Sequence, residues 1–100
     1  MSGAQPYKIE NGPGVLDQIK AIKHYSRHAG KYEQFIEIME EALRRLQGGP
    51  HVWGDPEYRA KTVDAVACRG LIRPVVFRYV IYEQVRGVVL VSVRLYADFE

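Results

Sequence analysis

The stretch PVVFRYVIYE, Pro74 to Glu83, followed across Gln84-Val85-Arg86-Gly87 by VVLVSVRLY, Val88 to Tyr96, decides the fold. Both runs are rich in β-branched and aromatic residues, and the intervening segment carries turn chemistry, so together they predict a β-hairpin. Side chains alternate along a strand, which lets odd and even positions be read as two faces. The odd set is Val75, Phe77, Tyr79 and Ile81, then Val89, Val91, Val93 and Leu95, apolar apart from one phenol. That face is expected beneath helices. The even set is Val76, Arg78, Val80 and Tyr82, then Val88, Leu90, Ser92, Arg94 and Tyr96, a mixture suited to water or to a partner. With Glu83 opposite Gly87, Arg78 faces Ser92 and Arg94 faces Val76, which makes the two arginines diagonal neighbours at roughly 7–8 Å. Like charges this close repel, so the face is expected to receive an anion or an acidic partner.

Upstream of the hairpin, Thr62 to Cys68 reads as a third, weaker strand, and His51 to Tyr58 as an ordered loop whose Trp53 plugs one end of the core. Before that loop the hydrophobic period is helical. Tyr32, Phe35, Ile36, Met39, Leu43 and Leu46 form one stripe, opposite Glu33, Glu37, Glu41 and Arg44, and Gly48-Gly49-Pro50 ends the helix. Val15, Ile19, Ile22, Ser26 and Ala29 lie in a narrow arc of an earlier helix that stops at Gly30. Tyr7 to Glu10 alternates as a short first strand, ended by Asn11-Gly12-Pro13-Gly14. The fold class is therefore α+β, an N-terminal strand and two helices packed on one face of a C-terminal antiparallel sheet.

A chain of 100 residues, 47% hydrophobic and 26% charged, has the globular mixture for one core, so residues 1–100 are read as a single domain. No apolar run approaches the ~20 residues that span a bilayer, and Met1 to Pro6 lack the basic start and apolar stretch of a signal peptide, which predicts a cytoplasmic location without a membrane partner. Cys68 is the only cysteine, which excludes an intrachain disulfide and a cysteine-based zinc site. His24 and His28 share one helical face but have no third ligand in view, so no metal and no cofactor is expected. The net charge is only +2, yet between Tyr58 and Tyr96 seven bases stand against two acids. Six of those bases are arginines, whose planar fork suits phosphate and carboxylate.

The order strand, helix, helix, three antiparallel strands resembles the RelE/ParE superfamily of bacterial toxin–antitoxin systems. The resemblance runs from Tyr7 to Asp98 and is carried by Ala42-Leu43-Arg44-Arg45-Leu46, Gly54-Asp55-Pro56-Glu57-Tyr58, Val76 to Tyr82 and Val88 to Tyr96. It implies the toxin of a type II toxin–antitoxin pair, bound by a small acidic antitoxin. Its activity would be ribosome-dependent, metal-independent cleavage of mRNA. The alternatives are ParE-like inhibition of DNA gyrase without chemistry, or a module that keeps only partner binding.

Phosphodiester cleavage needs cations for the charged transition state and groups that move protons. On this resemblance Arg78 and Arg94 supply the cations and Tyr96 or Lys61 the proton transfer, with Arg59, Arg69, Arg73 and Ser92 binding nucleic acid or partner. Two positions depart from the RNA-cleaving pattern. Val76 stands where those members place an arginine, with Arg78 one pleat away, and Tyr96 stands at the family's histidine. A phenol with an ordinary pKa near ~10 is a weak base at neutral pH.

Overall fold

The computed structural model describes residues 5–100. Met1 to Ala4, part of the N-terminal segment without signal-peptide features, lie outside them. The class is α+β as expected, and the elements follow in the order β1 (Lys8–Asn11), α1 (Val15–His28), α2 (Tyr32–Gly48), a single-turn α3 (Pro50–Trp53), β2 (Asp55–Ala60), β3 (Ala65–Ile72), β4 (Val75–Tyr82) and β5 (Gly87–Leu95). The described strands form one sheet in the order β1-β5-β4-β3-β2. β2 to β5 run antiparallel, and β1 adds to β5 in parallel. Among the described residues no helix is long and apolar enough to cross a membrane.

Both long helices cover one face of the sheet. From α1 come Val15 and Ile22, and from α2 Phe35, Ile38, Ala42 and Leu46, all buried against Val66, Cys68, Val75, Phe77, Tyr79, Ile81, Val88, Leu90 and Val93. Two details differ from the expected stripes. Leu43 is 47% exposed, because α2 is turned so that the small Ala42 approaches the sheet in its place. Ala29 is exposed, since α1 ends at His28 and Gly30, at a φ of 73°, turns the chain away through a conformation costly for a side chain with a Cβ.

Two corrections concern the sheet. His51 to Tyr58 is not a loop: His51 to Trp53 complete α3, Gly54 joins the two elements, and Asp55 to Tyr58 belong to β2, an edge strand exposed along most of its length. Thr62 to Cys68 is not the third strand's span either. Asp64 has a φ of 48°, a left-handed conformation that belongs to the turn, and the strand runs from Ala65 to Ile72.

The largest correction is in the hairpin. From Val75↔Leu95 to Arg78↔Ser92 the pairs follow the expected register, but between Arg78 and Tyr79 the register shifts, and Tyr79 pairs with Leu90. Val91 is the extra residue of a β-bulge, and Tyr82, not Glu83, meets Gly87. Val88 and Leu90 therefore lie in the core at 1% and 4% exposure, while Val91 is 45% exposed. On β4 the odd residues Val75, Phe77, Tyr79 and Ile81 are buried as expected.

The bulge lies at the point where β5 loses one neighbour. β1 ends opposite Leu90, and beyond it α1 runs along the freed edge, where Gln18 Oε1 accepts a hydrogen bond from the Val93 N–H at 2.8 Å. At the other side of the sheet, the Tyr79 hydroxyl joins α3 to the core. It donates to the Pro50 carbonyl at 2.6 Å and accepts from the Gly54 N–H at 2.9 Å. Burial is the main reason that its pKa is pushed above the ordinary tyrosine range. Trp53 stacks on the Tyr79 ring and covers Gly70, whose position opposite Phe77 leaves room only for hydrogen.

A Cβ at Gly70 would come within 2.6 Å of the Trp53 indole. Gly70→Ala is therefore expected to displace Trp53 and lower stability by about 1–3 kcal/mol, as overpacking does. Urea unfolding followed by the fluorescence of this single tryptophan measures it; an unchanged midpoint and spectrum would mean that Trp53 does not lock β3.

Glu83 ties three segments together, accepting a hydrogen bond from the Tyr7 hydroxyl at 2.8 Å and pairing with His51 Nε2 at 2.6 Å. The His51 contact first, then that of Tyr7, holds its carboxyl below the ordinary value of 4.5. A depressed folded-state pKa contributes stability above the unfolded value and loses it as pH falls through the folded one. Wild-type stability is thus expected to drop below about pH 4.5 more steeply than that of Glu83→Gln. Parallel curves from denaturation at several pH values would show that this cluster contributes nothing to the acid limb.

Candidate functional site

The face of the sheet away from the helices is read off the register. Across it lie Ala67, Val80 and Val89, then Arg69, Arg78 and Ser92, then Leu71, Val76 and Arg94. β3 puts Arg69 there because its core-facing residues are Val66, Cys68 and Gly70. β5 puts Ser92 and Arg94 there because the bulge precedes them and leaves the pairing of this end intact. Arg69, Leu71, Val76, Arg78, Val91, Ser92, Arg94 and Tyr96, with Gln18 at one wall, line an open groove of about 820 Å³.

Of the residues expected to do chemistry, Arg78, Arg94 and Tyr96 meet in this groove, and of the expected binding residues Arg69 and Ser92 join them. Lys61 does not. It belongs to the turn between β2 and β3, four residues before Ala65, at the end of β3 opposite to the groove-lining Leu71, and does not line the groove. Arg59 stands near the same turn and pairs with Asp64 at 3.7 Å. Arg73 stands in the β3–β4 turn and pairs with Glu100 at 3.0 Å. Neither lines the groove. Val88 and Leu90, expected on this face, are core residues, and Val89 and Val91 replace them.

Glu57 is the residue that the sequence reading left out. The β2–β3 register passes from Pro56↔Cys68 directly to Tyr58↔Ala67, so Glu57 is unpaired in a bulge of the edge strand. One of its oxygens lies 3.9 Å from Arg69 Nε and the other 3.9 Å from Arg78 Nε. Its signal in the sequence was slight: an acid beside a proline, which becomes legible only once Asp55 to Ala60 is known to be a strand beside Arg69. Among the described residues no carboxylate pairs with Arg94.

The arrangement has a clear electrostatic sense. Three guanidiniums share a groove with the apolar Leu71, Val76 and Val91, and the Glu57 carboxylate stands beside two of them. Arginine forks beside apolar surface suit an elongated anion that also has non-polar faces. Cys68, on the opposite side of β3, is buried, and burial is the first cause raising its thiol above the ordinary value, so it is not available as a nucleophile here. Among the described residues no group of three or more histidine, cysteine, aspartate or glutamate side chains is placed to hold a metal ion.

No family model matches the sequence, and no curated protein matches it. Solved structures do. A chain of the toxin–antitoxin complex RelBE2 from Mycobacterium tuberculosis superposes with a TM-score of 0.67 at 17% identity, covering 98% of this chain and 100% of that one. A chain of the archaeal RelE–RelB complex from Pyrococcus horikoshii superposes with a TM-score of 0.58 at 12% identity, covering 93% of this chain and 98% of that one. The chain thus has a RelE-like fold over nearly its whole length.

Proposed function

We propose that this chain is the toxin of a type II toxin–antitoxin pair, that its arginine groove binds and cleaves RNA, and that an acidic antitoxin covers the same groove. The carrying observation is the convergence of Arg69, Arg78 and Arg94 on the uncovered face of a RelE-like sheet. One of the similar chains comes from a structure described as a toxin–antitoxin complex and the other from a RelE–RelB complex, which supports the partner as well as the class.

In cleavage, the 2′-hydroxyl of one nucleotide gives its proton to water and attacks the phosphorus on its own 3′-oxygen, and the 5′-oxygen of the next departs with a proton that water then restores to its donor. Negative charge grows on the phosphoryl oxygens, where Arg78 and Arg94 supply fixed cations. Ser92, between them in register, can donate to a phosphate oxygen. Tyr96 lines the groove with a hydroxyl proton for the leaving oxygen, the role first shared with Lys61, which the fold keeps away. The apolar floor beneath leaves surface on which bases can rest.

The non-catalytic alternative, docking on DNA gyrase, has one observation in its favour. Among the described residues no histidine lines the groove, and a docking surface needs none. Two assays separate the readings: cleavage of mRNA in a purified translation system, and inhibition of gyrase supercoiling. In the first, Arg94→Ala is expected to lower cleavage by about 10²-fold or more without changing the circular dichroism spectrum, since losing one donor to the transition-state charge costs that much. Full cleavage by the folded variant removes Arg94 from the site. Absence of cleavage by the wild type alongside gyrase inhibition transfers the chain to the other class.

The partner is tested separately. Arg78→Glu with Arg94→Glu should weaken the complex with the acidic antitoxin far more than Lys20→Glu with Lys23→Glu on α1, in association rate as well as affinity, because reversal adds repulsion to lost attraction. Calorimetry at two salt concentrations measures it, and equal effects would place the partner elsewhere.

A further inference from the structure

Arg69 and Arg78 are direct register partners on neighbouring strands, and both point to the open face. Like charges directly opposite in a sheet destabilise it, so something must offset this pair. Glu57 does so. The bulge in β2 frees it from the strand ladder, and its two oxygens divide between the two guanidiniums, each 3.9 Å from one Nε. Those separations are charge contacts, longer than the 2.7–2.9 Å of a formed ionic hydrogen bond. The three side chains are 40–56% exposed, which leaves the carboxylate room to move. A bidentate anion thus already sits between two arginine forks, held loosely from one side.

We infer that Glu57 is an internal counter-ion occupying a phosphate site between Arg69 and Arg78, and that a backbone phosphate of single-stranded RNA displaces it. This rests on the reading of the groove as an RNA surface. Both anions need the same two forks, and each repels the other, so binding requires the Glu57 side chain to swing toward solvent. Glu57 then acts as a selectivity device. A lone carboxylate or an isolated phosphate gains little by replacing it, whereas an RNA strand that also engages Arg94 and the apolar floor gains enough to do so.

The test uses a 2′-O-methyl RNA octanucleotide, which lacks the attacking hydroxyl, and measures affinity by fluorescence anisotropy from 50 to 300 mM salt. Glu57→Gln keeps the shape and removes the charge. It is expected to tighten binding roughly fivefold at low salt, the effect of removing one like charge a few ångströms away in a watery setting. It should also steepen the dependence of log K on log salt by about 0.7, one more phosphate neutralised on a single strand. Glu33→Gln on α2 changes the net charge equally, far from the groove, and should leave the slope unaltered. Arg78→Ala and Arg94→Ala should each weaken binding. If they do but Glu57→Gln binds equally or more weakly with an unchanged slope, Glu57 merely positions the arginines and the inference falls while the groove remains an RNA surface. If no variant binds, both readings fall.

Discussion

The β-bulge at Val91 is the constraint on which the rest of the molecule depends. Without it, a register that places Arg78 opposite Ser92 would continue to the turn and put Val89 and Val91 under the helices, leaving Val88 and Leu90 outside. With it, β5 changes phase in mid-strand. Val88 and Leu90 fill the core beside β1, Val93 fills it beside α1, and Ser92 and Arg94 remain on the open face. The phase change falls where the strand's surroundings change, from a parallel neighbour to a helix. Gln18 there supplies by side chain the acceptor that a strand would have supplied by backbone. Bulges bend and twist a strand, and this one lies under the arginine groove, with Val91 among its lining residues.

A second dependency runs through the far side of the sheet. β2 is an edge strand of poor β-forming composition, Asp55-Pro56-Glu57, and such a segment needs an anchor. The anchor is the hydroxyl of Tyr79, which binds the backbone at both ends of α3 and so fixes where β2 begins. Trp53, stacked on the same ring over Gly70, closes the core beneath it. The position of Glu57 beside the arginines is therefore set from the core side. Proline and charges along β2 also blunt an edge that would otherwise invite further strands.

Much of this was legible. The change of hydrophobic period from about 3.6 to two separates the helices from the sheet, and glycine and proline mark the joins, so the α+β class and the burial of Val75, Phe77, Tyr79 and Ile81 follow from the residues alone. The phase error in β5 has a specific cause. Val88-Val89-Leu90-Val91 is apolar at every position, so alternation within it carries no information about which residues face inward. The arginines escaped the error because they lie on the far side of the bulge, where pairing runs from the β4 start without interruption. Lys61 was grouped with the groove residues and Glu57 was left out for one reason, for the places of both depend on β2. A strand that is exposed and carries a proline has no periodic signal, and it exists because β3 offers it a ladder.

The groups that hold the fold and those that form the groove are nearly disjoint, and this follows from the sheet's geometry. Alternation gives each strand one set of side chains for the core and one for the outside. Gln18 is the exception, serving the edge of β5 with its oxygen while forming one wall of the groove. Elsewhere the open face is free to carry side chains that weaken the sheet, and Arg69 opposite Arg78 is such a pair. Exposure keeps the penalty small, since water and salt screen charges at a surface. The same screening limits what any single anion gains there, so an occupant must engage several arginines and the apolar floor at once. On the proposed reading, the groove favours a long ligand over a small one.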